Sequence, residues 1–396
     1  MVGEDKAELG GLLEILPPVE FCCIYGSKLH PNNKDETSMT DYIIGVSDPR
    51  QWHSENLKLN KDHYASCLIR LGGARMITDI ANDIGVGVHF NPFVSCNNKM
   101  VKYGVVRMHD LIQDILGWER FYLSGRLQKP VNILMDNLDI KNVNSVNLKA
   151  ATSAALLLLP SKFTEEDLYA KICSLSYTGD LRMLFAEDKN KVNKIVQGQF
   201  HLFEEMYKPF LEEYEAKNLL RFSLAGDKQV NIFQDCGLSA ASTLVSSLPS
   251  SIRSEMAMKL GDKRILDDSG RVRQQVVIGS KEQAAECMKR LVRRKVMFSS
   301  TRQAVAGGKS SSGKVKLLYD LEHPSVPVLK KLINGSKQGI AIVTLFNFKL
   351  EQVEQKVELF KFYLCPQRVK LNTRCQVSEE SKSPPTFGVD YRWSMA

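Results

Sequence analysis

The sequence predicts a mixed α/β first part, roughly residues 1–145, followed by a mainly helical second part. Three observations carry that expectation. Short apolar runs broken by Gly, Asn and Pro fill the first part, as strands and turns do. Beyond about residue 145 the apolar residues recur at helical spacing instead, as in Phe200, Phe203, Tyr207, Phe210 and Leu211. Finally, an apolar run, Val19 to Tyr25, ends in a Gly26-Ser27 turn, and after a polar loop Asp41 leads a second apolar run, Tyr42 to Val46. A strand, a small turn and a carboxylate on the next strand can hold a triphosphate and a divalent metal side by side.

Taken in order, residues 7–16 read as a short helix stopped by Pro17-Pro18. Strands follow at 19–25 and 41–46, Pro49 ends the second, and 51–72 reads as one helix, stopped at Gly72-Gly73, whose apolar positions include Leu57, Tyr64, Leu68 and Leu71. Gly85 to Val94 and Met100 to Met108 read as strands joined by a turn at Asn97-Asn98-Lys99. His109 to Trp118 starts a helix, and a strand follows the turn at Gly125. In the second part, Leu148 to Leu159 is an apolar helix, and Thr164 with Asp167 fits a capping box with Asp in place of Glu. Helical patterning continues from Lys189 to Leu220, and 221–275 mixes short helices with polar turns. Gln274 to Ile278 is either a strand or the start of the last helix, Lys281 to Ser299. After Gly307, GGKSSSGK has the composition of a flexible linker. A helix is expected over 342–364, and disorder over 376–396.

Composition narrows the class. The chain has 396 residues, 43% apolar and 25% charged, ordinary for a globular protein of two or three domains. No run of eighteen apolar residues occurs, so no spanning helix is expected. The first twenty residues carry Glu4, Asp5, Glu8 and Glu14, which fits neither a secretory leader nor a good transit peptide. Nine cysteines without a CxxC pair read as reduced thiols of an intracellular or organellar protein. The net charge of +8 allows a phosphate-rich substrate, a nucleic acid or an anionic membrane. The near P-loop GKSSSGK has Val315 where Ser or Thr is required and no strand before it.

YGS…TDYIIGV resembles the turn-and-carboxylate pattern of the polymerase-β-type nucleotidyltransferase superfamily. The resemblance implies that Tyr25, Gly26 and Ser27 cradle a triphosphate and that Asp41 binds Mg²⁺. The superfamily carries a second acid two residues on, where this chain has Ile43; Asp48, after the strand, is the alternative carboxylate and either a metal ligand or a turn acid before Pro49. The blocks VSDPRQWHSENL, KYGVV, GRLQKPV and LSYTGDLRM, over roughly 18–307, resemble the mitochondrial translocator assembly and maintenance family, the mitochondrial phosphatidate cytidylyltransferases. That resemblance implies CTP and phosphatidate as substrates, CDP-diacylglycerol and diphosphate as products, and a place on the matrix side of the inner mitochondrial membrane, feeding phosphatidylglycerol and cardiolipin synthesis. It also implies a nucleotidyltransferase domain over 1–145, a winged-helix-like domain over 146–275 and a basic amphipathic helix region over 276–307, free to pack back on the first domain; the tail over 308–396 is atypical of the family. No nucleic acid is expected as partner.

The remaining candidates follow from charge and ring chemistry. Two anionic reactants must be brought together, so cations are needed beside the metal. Lys102 and Lys129, near predicted strand ends, are expected to contact phosphate as catalytic groups. Trp52 and Tyr103 either stack on cytosine or pack in the core, and His53 either bonds phosphate or anchors a helix. Arg182, whose guanidinium fork suits phosphate, and Tyr177 are candidates for the phosphatidate headgroup. Lys289, Arg290, Arg293, Arg294 and Lys295, interleaved with Met288, Leu291, Val292 and Met297, fit an anionic membrane surface. The rival readings are a nucleotidyltransferase on another acceptor and a non-catalytic import or assembly factor.

Overall fold

The structure, a computed structural model, describes residues 4–29, 39–180, 190–224, 230–266, 270 and 272–306. Arg182, most of the polar loop after Ser27, the linker after Gly307, the helix expected over 342–364 and the polar end after 376 lie outside the described residues.

The first part is built on a five-stranded sheet of order β3-β4-β2-β1-β5. Helix α1 (Glu4–Ile15) runs up to the Pro17-Pro18 stop and leads into β1 (Phe21–Tyr25). Strand β2 (Thr40–Val46) pairs antiparallel with β1, setting Tyr25 opposite Asp41. Helix α2 (Pro49–Leu59) follows, then α3 (Ser66–Leu71), α4 (Gly73–Asp79) and a π-helical turn over Ile80–Ile84. Strands β3 (Val88–Cys96) and β4 (Lys99–Arg107) form a hairpin. Its turn residues Asn97 and Asn98 both take positive φ, 49° and 60°, as a two-residue hairpin turn demands and Asn tolerates. Strand β4 then lies parallel to β2, with Asp41 beside Lys102 and Tyr42 beside Tyr103. Helix α5 (Met108–Gly117), the short α6 (Ser124–Leu127) and the edge strand β5 (Asn132–Asp136) complete the part.

Side chains alternate across a strand, so this sheet has two faces with separate cores. One face carries Cys22, Ile24, Tyr42, Ile44 and Tyr103 against Leu12 of α1, Leu16 just after it and Trp52 of α2. The other carries Phe21, Cys23 and Ile43 against Met108, Leu111 and Ile115 of α5. Ile43, standing where a second acid was sought, is a core residue on the Asp41 side.

The second part begins with α7 (Ile140–Leu158), followed by β6 (Lys162–Thr164) and α8 (Glu165–Leu175). The expected capping box is present: Asp167 N–H donates to Thr164 Oγ1, and Thr164 N–H donates to Asp167 Oδ2 at 2.9 Å. Next come α9 (Lys191–Gly198), α10 (Phe200–Ala216), β7 (Leu220–Leu224) and β8 (Val230–Gln234), with a three-stranded sheet of order β6-β8-β7. Helices α11 (Leu238–Ser246) and α12 (Ser250–Leu260) precede an antiparallel ribbon of β9 (Asp262–Leu266) and β10 (Val272–Val276). The long helix α13 (Lys281–Ala306) closes the described chain. The stretch 221–275, expected as helices and turns, therefore contains four strands or parts of strands.

Helix α13 corrects a second expectation. Its apolar side, Ala284, Met288, Leu291, Val292 and Val296, is buried in the core of the second part. It is a core helix with a basic outer face, and these five apolar residues are not free to enter a bilayer; Phe298, nearer its end, is exposed.

Candidate active site

The two parts meet around a pocket of about 220 Å³. Tyr25 and Gly26 reach it from the end of β1, Asp41 from β2 and Lys102 from β4. Tyr122, Arg126 and Lys129 come from the segment around α6, and Ser176, Tyr177 and Asp180 from the end of α8. Lys191 enters from α9, while Val296, Ser299 and Ser300 of α13 supply a wall.

The turn at Gly26 is built for close approach. Its φ is +93°, and a side chain there would sit 3.1 Å from Asp41 Oδ2. Glycine alone brings the backbone this near the carboxylate without strain. Lys102 Nζ stands 3.1 Å from Asp41 Oδ1 and 4.7 Å from the centre of the Phe90 ring. A carboxylate and an ammonium, both partly open to solvent, therefore share one end of the pocket.

The other end is cationic and aromatic. Lys129 Nζ donates to Gly125 O at 2.5 Å and to Ser176 Oγ at 2.7 Å. Lys129 and Lys191 both lie over the Tyr177 ring, 5.1 and 5.6 Å from its centre. Arg126 stacks 3.7 Å over Tyr122 and lies 5.4 Å from the centre of the Tyr25 ring, while its Nη1 donates to Tyr122 O at 2.6 Å. Burial pushes the Tyr25 phenol up to about 12, although Arg126 pulls it the other way, so Tyr25 stays a neutral hydroxyl. Gly125 is where the parts touch: a Cβ there would fall 2.7 Å from Cβ of Ser176.

The segment 118–124 is held in shape by one buried side chain, Asp114. Its carboxylate accepts the backbone N–H groups of Arg120, Phe121, Tyr122, Leu123 and Ser124, all at 2.8–3.0 Å. That ring of donors sets the chain leading into Arg126 and Lys129.

The structure thus gathers Tyr25, Gly26, Asp41, Lys102, Lys129 and Tyr177 of the expected residues into one pocket. Ser27 follows at the start of a 3-10 turn, Ser27–Leu29. Four expectations are corrected. Trp52 and Tyr103 are 4% and 0% exposed on the other face of the sheet, so neither ring is open to a base. Trp52 Nε1 donates to Pro18 O at 3.1 Å, and the Tyr103 hydroxyl meets Asn56 Nδ2 and His63 Nδ1, each at 2.9 Å. His53, 1% exposed, bonds the Tyr64 hydroxyl at 2.8 Å. Burial holds its imidazole well below its usual range, so it is a neutral structural group. Asp48 is the N-cap of α2, accepting from Arg50 N at 2.8 Å and Gln51 N at 3.2 Å. It lies beyond the opposite end of β2 from Asp41, roughly 20 Å away along the strand, so the two cannot share an ion.

On α13, Lys289, Arg290, Arg293 and Arg294 are exposed. Arg290 bonds Glu286 at 2.7 Å, Arg294 pairs with Glu255, and Lys295 Nζ lies 2.9 Å from Glu255 with little exposure. Arg126 and Lys191 were not anticipated. Arg126 stood inside the GRLQKPV block beside Lys129, so its signal was present; Lys191 carried none.

Among the described residues no cluster of three or more His, Cys, Asp or Glu could hold a metal. A magnesium ion is nonetheless compatible with the donor set. Asp41 offers one hard carboxylate beside the Gly26 backbone, and Mg²⁺ is commonly held by one or two carboxylates together with substrate phosphates and water.

Comparison with known proteins agrees with the blocks. The family model described as "Phosphatidate cytidylyltransferase, mitochondrial" matches residues 9–323, beginning before Val19 and running past Gly307, where the resemblance was expected to stop. The chain is similar to proteins of that name from Homo sapiens (42% identical over 196 residues, 48% of this chain and 43% of that one). The same holds for Bos taurus (42% over 195 residues, 48% and 57%) and for Saccharomyces cerevisiae (40% over 220 residues, 53% and 56%). The chain spans about half the length of these relatives.

Proposed function

The chain belongs to the mitochondrial phosphatidate cytidylyltransferase family, and from that premise we propose that it transfers the cytidylyl group of CTP to phosphatidate. A phosphate oxygen of phosphatidate bonds to the α-phosphorus of CTP, and the bond from that phosphorus to the β-phosphate oxygen breaks. CDP-diacylglycerol and diphosphate leave. The observation that carries the proposal is the charge of the pocket. Lys102, Arg126, Lys129 and Lys191 line, with only Asp41 and Asp180 as acids, a space large enough for a nucleotide phosphate chain.

The residues divide the work by position. The Gly26 turn and Asp41 take the triphosphate end, where Asp41 would hold Mg²⁺ and the ion would supply charge neutralisation. Lys102 and Arg126 stabilise charge that builds on the transferring and leaving phosphates. Lys129 and Lys191, spaced by the Tyr177 ring, receive the phosphatidate phosphate. Arg182, two residues past Asp180, is a further candidate for that headgroup. The attacking phosphate is largely ionised near neutral pH, so no strong general base is needed. The order α7-β6-α8-α9-α10-β7-β8, with sheet order β6-β8-β7, supports the winged-helix-like reading of the second part. No helix of the described residues is long and apolar enough to cross a membrane, which is compatible with peripheral attachment. The relatives' names support a mitochondrial place; the matrix face of the inner membrane and the supply of phosphatidylglycerol and cardiolipin synthesis are proposed on the family resemblance alone.

The test is formation of labelled CDP-diacylglycerol from labelled CTP and phosphatidate vesicles by the purified chain with Mg²⁺. Product from wild type and none from Asp41→Ala is expected. An inactive wild type, or equal product from Asp41→Ala, overturns the proposal.

A further inference from the structure

The β9–β10 ribbon and the end of α12 carry an apolar patch that the pocket does not use. Leu266 is 71% exposed and stands directly opposite Val272, 64% exposed, so the two side chains are neighbours on one face. Met258 of α12 is 80% exposed. Val277 is also exposed, and its N–H donates to Gly261 O at 3.0 Å, which ties the base of the ribbon to the end of α12. Every residue of β9 is exposed. A ribbon of two strands gains little from its own pairing, and these apolar groups add nothing to the core. An apolar pair at the outer end of the ribbon, with Met258 and Val277 exposed at its base, marks a surface that something covers.

The charge around the patch identifies the cover. Lys259, Lys263 and Arg264 are all exposed beside it. From 258 to 277 the sequence holds five basic and three acidic residues, so the stretch stays basic with its acids counted. Lys259 and Arg290 both act electrostatically on the Cys287 thiol, so the basic outer face of α13 adjoins the end of α12. Branched apolar residues bordered by lysine and arginine match an anionic bilayer. The apolar tips enter the headgroup boundary while the cations meet lipid phosphates.

We propose that the β9–β10 ribbon, with Met258, is the element that docks this protein on an anionic lipid surface. The proposal rests on the reading that the acceptor is a membrane lipid. It moves membrane contact away from the apolar side of α13, which the core already uses, and keeps the basic side of α13 as its electrostatic flank. Helix α13 then leads from the docked surface to the pocket wall. Arg290 and Ser299 are nine residues apart, about 14 Å along a helix.

The experiment is co-sedimentation of the full chain with phosphatidylcholine vesicles, with and without phosphatidylglycerol and free of phosphatidate, so that headgroup binding in the pocket plays no part. Leu266→Ser with Val272→Ser is expected to weaken binding to the anionic vesicles about tenfold. Lys263→Glu with Arg264→Glu is expected to abolish the gain from phosphatidylglycerol. Both variants should turn over a short-chain, water-dispersed phosphatidate as wild type does. Vesicle binding equal to wild type in either variant overturns the proposal. So does a wild-type dimer in sedimentation velocity that the Leu266, Val272 variant dissociates while still binding vesicles. Loss of dispersed-substrate turnover in both variants overturns it too, because the ribbon would then belong to the catalytic fold. A wild type inactive on dispersed substrate sinks the cytidylyltransferase reading alone, and the sedimentation result still decides the ribbon.

Discussion

Lys102 points into the pocket beside Asp41, while Tyr103 passes through the other face of the sheet, where its hydroxyl meets Asn56 and His63. Both lie in the KYGVV block, and the alternation of a strand separates their roles. Tyr103→Phe is expected to leave Asn56 and His63 short of a buried partner and to cost about 1–3 kcal/mol in urea unfolding. Turnover should hold wherever the fold persists; lost turnover at unchanged stability would return Tyr103 to the nucleotide. His53 makes a second case. Its folded imidazole titrates well below the ordinary 6.5, because burial disfavours the cation and His89 nearby adds repulsion. The unfolded chain therefore binds the extra proton first as pH falls below about 6.5. The stability due to neutral His53 is complete above that pH and drains away below it, by about 1.4 kcal/mol per pH unit until the folded group also titrates. His53→Asn should flatten that part of a stability-against-pH curve, and an unchanged slope would show that another group carries it. These side chains were readable by type and not by direction. Trp52, His53 and Tyr103 have the chemistry of a nucleotide site, and only the register of β2 with β4 and the packing of α2 show which face they serve.

Helix α5 was legible as a helix, but Asp114 on it was not legible as its most consequential residue. With His109, Asp110 and Gln113 it reads as one more polar position of a solvated face. In the fold it is 4% exposed and accepts five consecutive backbone N–H groups. Those donors belong to a segment with no regular structure of its own, which therefore depends on the carboxylate for its shape. Asp114→Asn keeps the size and loses the charge, and its amide cannot accept on both sides. It should cost about 3 kcal/mol of stability. It should also raise KM for CTP, because Tyr122 and Arg126 hang from the reorganised segment. A stable variant with unaltered KM would show that the segment holds itself. The strands from Leu220 to Leu266 escaped a local reading for a related reason, and of β10 only the part from Gln274 was offered as a strand. Leu220–Leu224 follows directly on the apolar stripe of α10, and Val230–Gln234 is a strand only because it pairs with both β6 and β7. The partner β6 lies outside any local window. The β3–β4 hairpin, by contrast, announced itself through Asn97-Asn98.

At the scale of the molecule, α13 belongs to both parts. Its middle is core to the second part, while its end reaches the first: Arg302 donates to the carbonyls of Ile84 at 2.9 Å and Asp83 at 2.6 Å, and Ser299 bonds the Arg120 carbonyl. Ser299 itself, with Val296 before it and Ser300 after it, lines the pocket. The pocket itself shows why its membership was only partly legible. Gly26 and Asp41 sit on adjacent strands and share a recognisable spacing, but Lys191 is brought to them from 150 residues beyond Asp41 by packing alone. Arg302 touches no lining residue's function directly, so its removal isolates the strut from the chemistry. Arg302→Ala should lower kcat several-fold while the protein stays folded, with amide hydrogen exchange rising together at 80–84 and 296–300. If exchange rises at 80–84 alone and kcat is unchanged, α13 merely rests on the π-helical turn. If both regions loosen and kcat falls, the wall of the pocket owes its position to a helix end anchored on the opposite part. Turnover would then depend on how firmly the two parts are held together, and not only on the cations of the pocket.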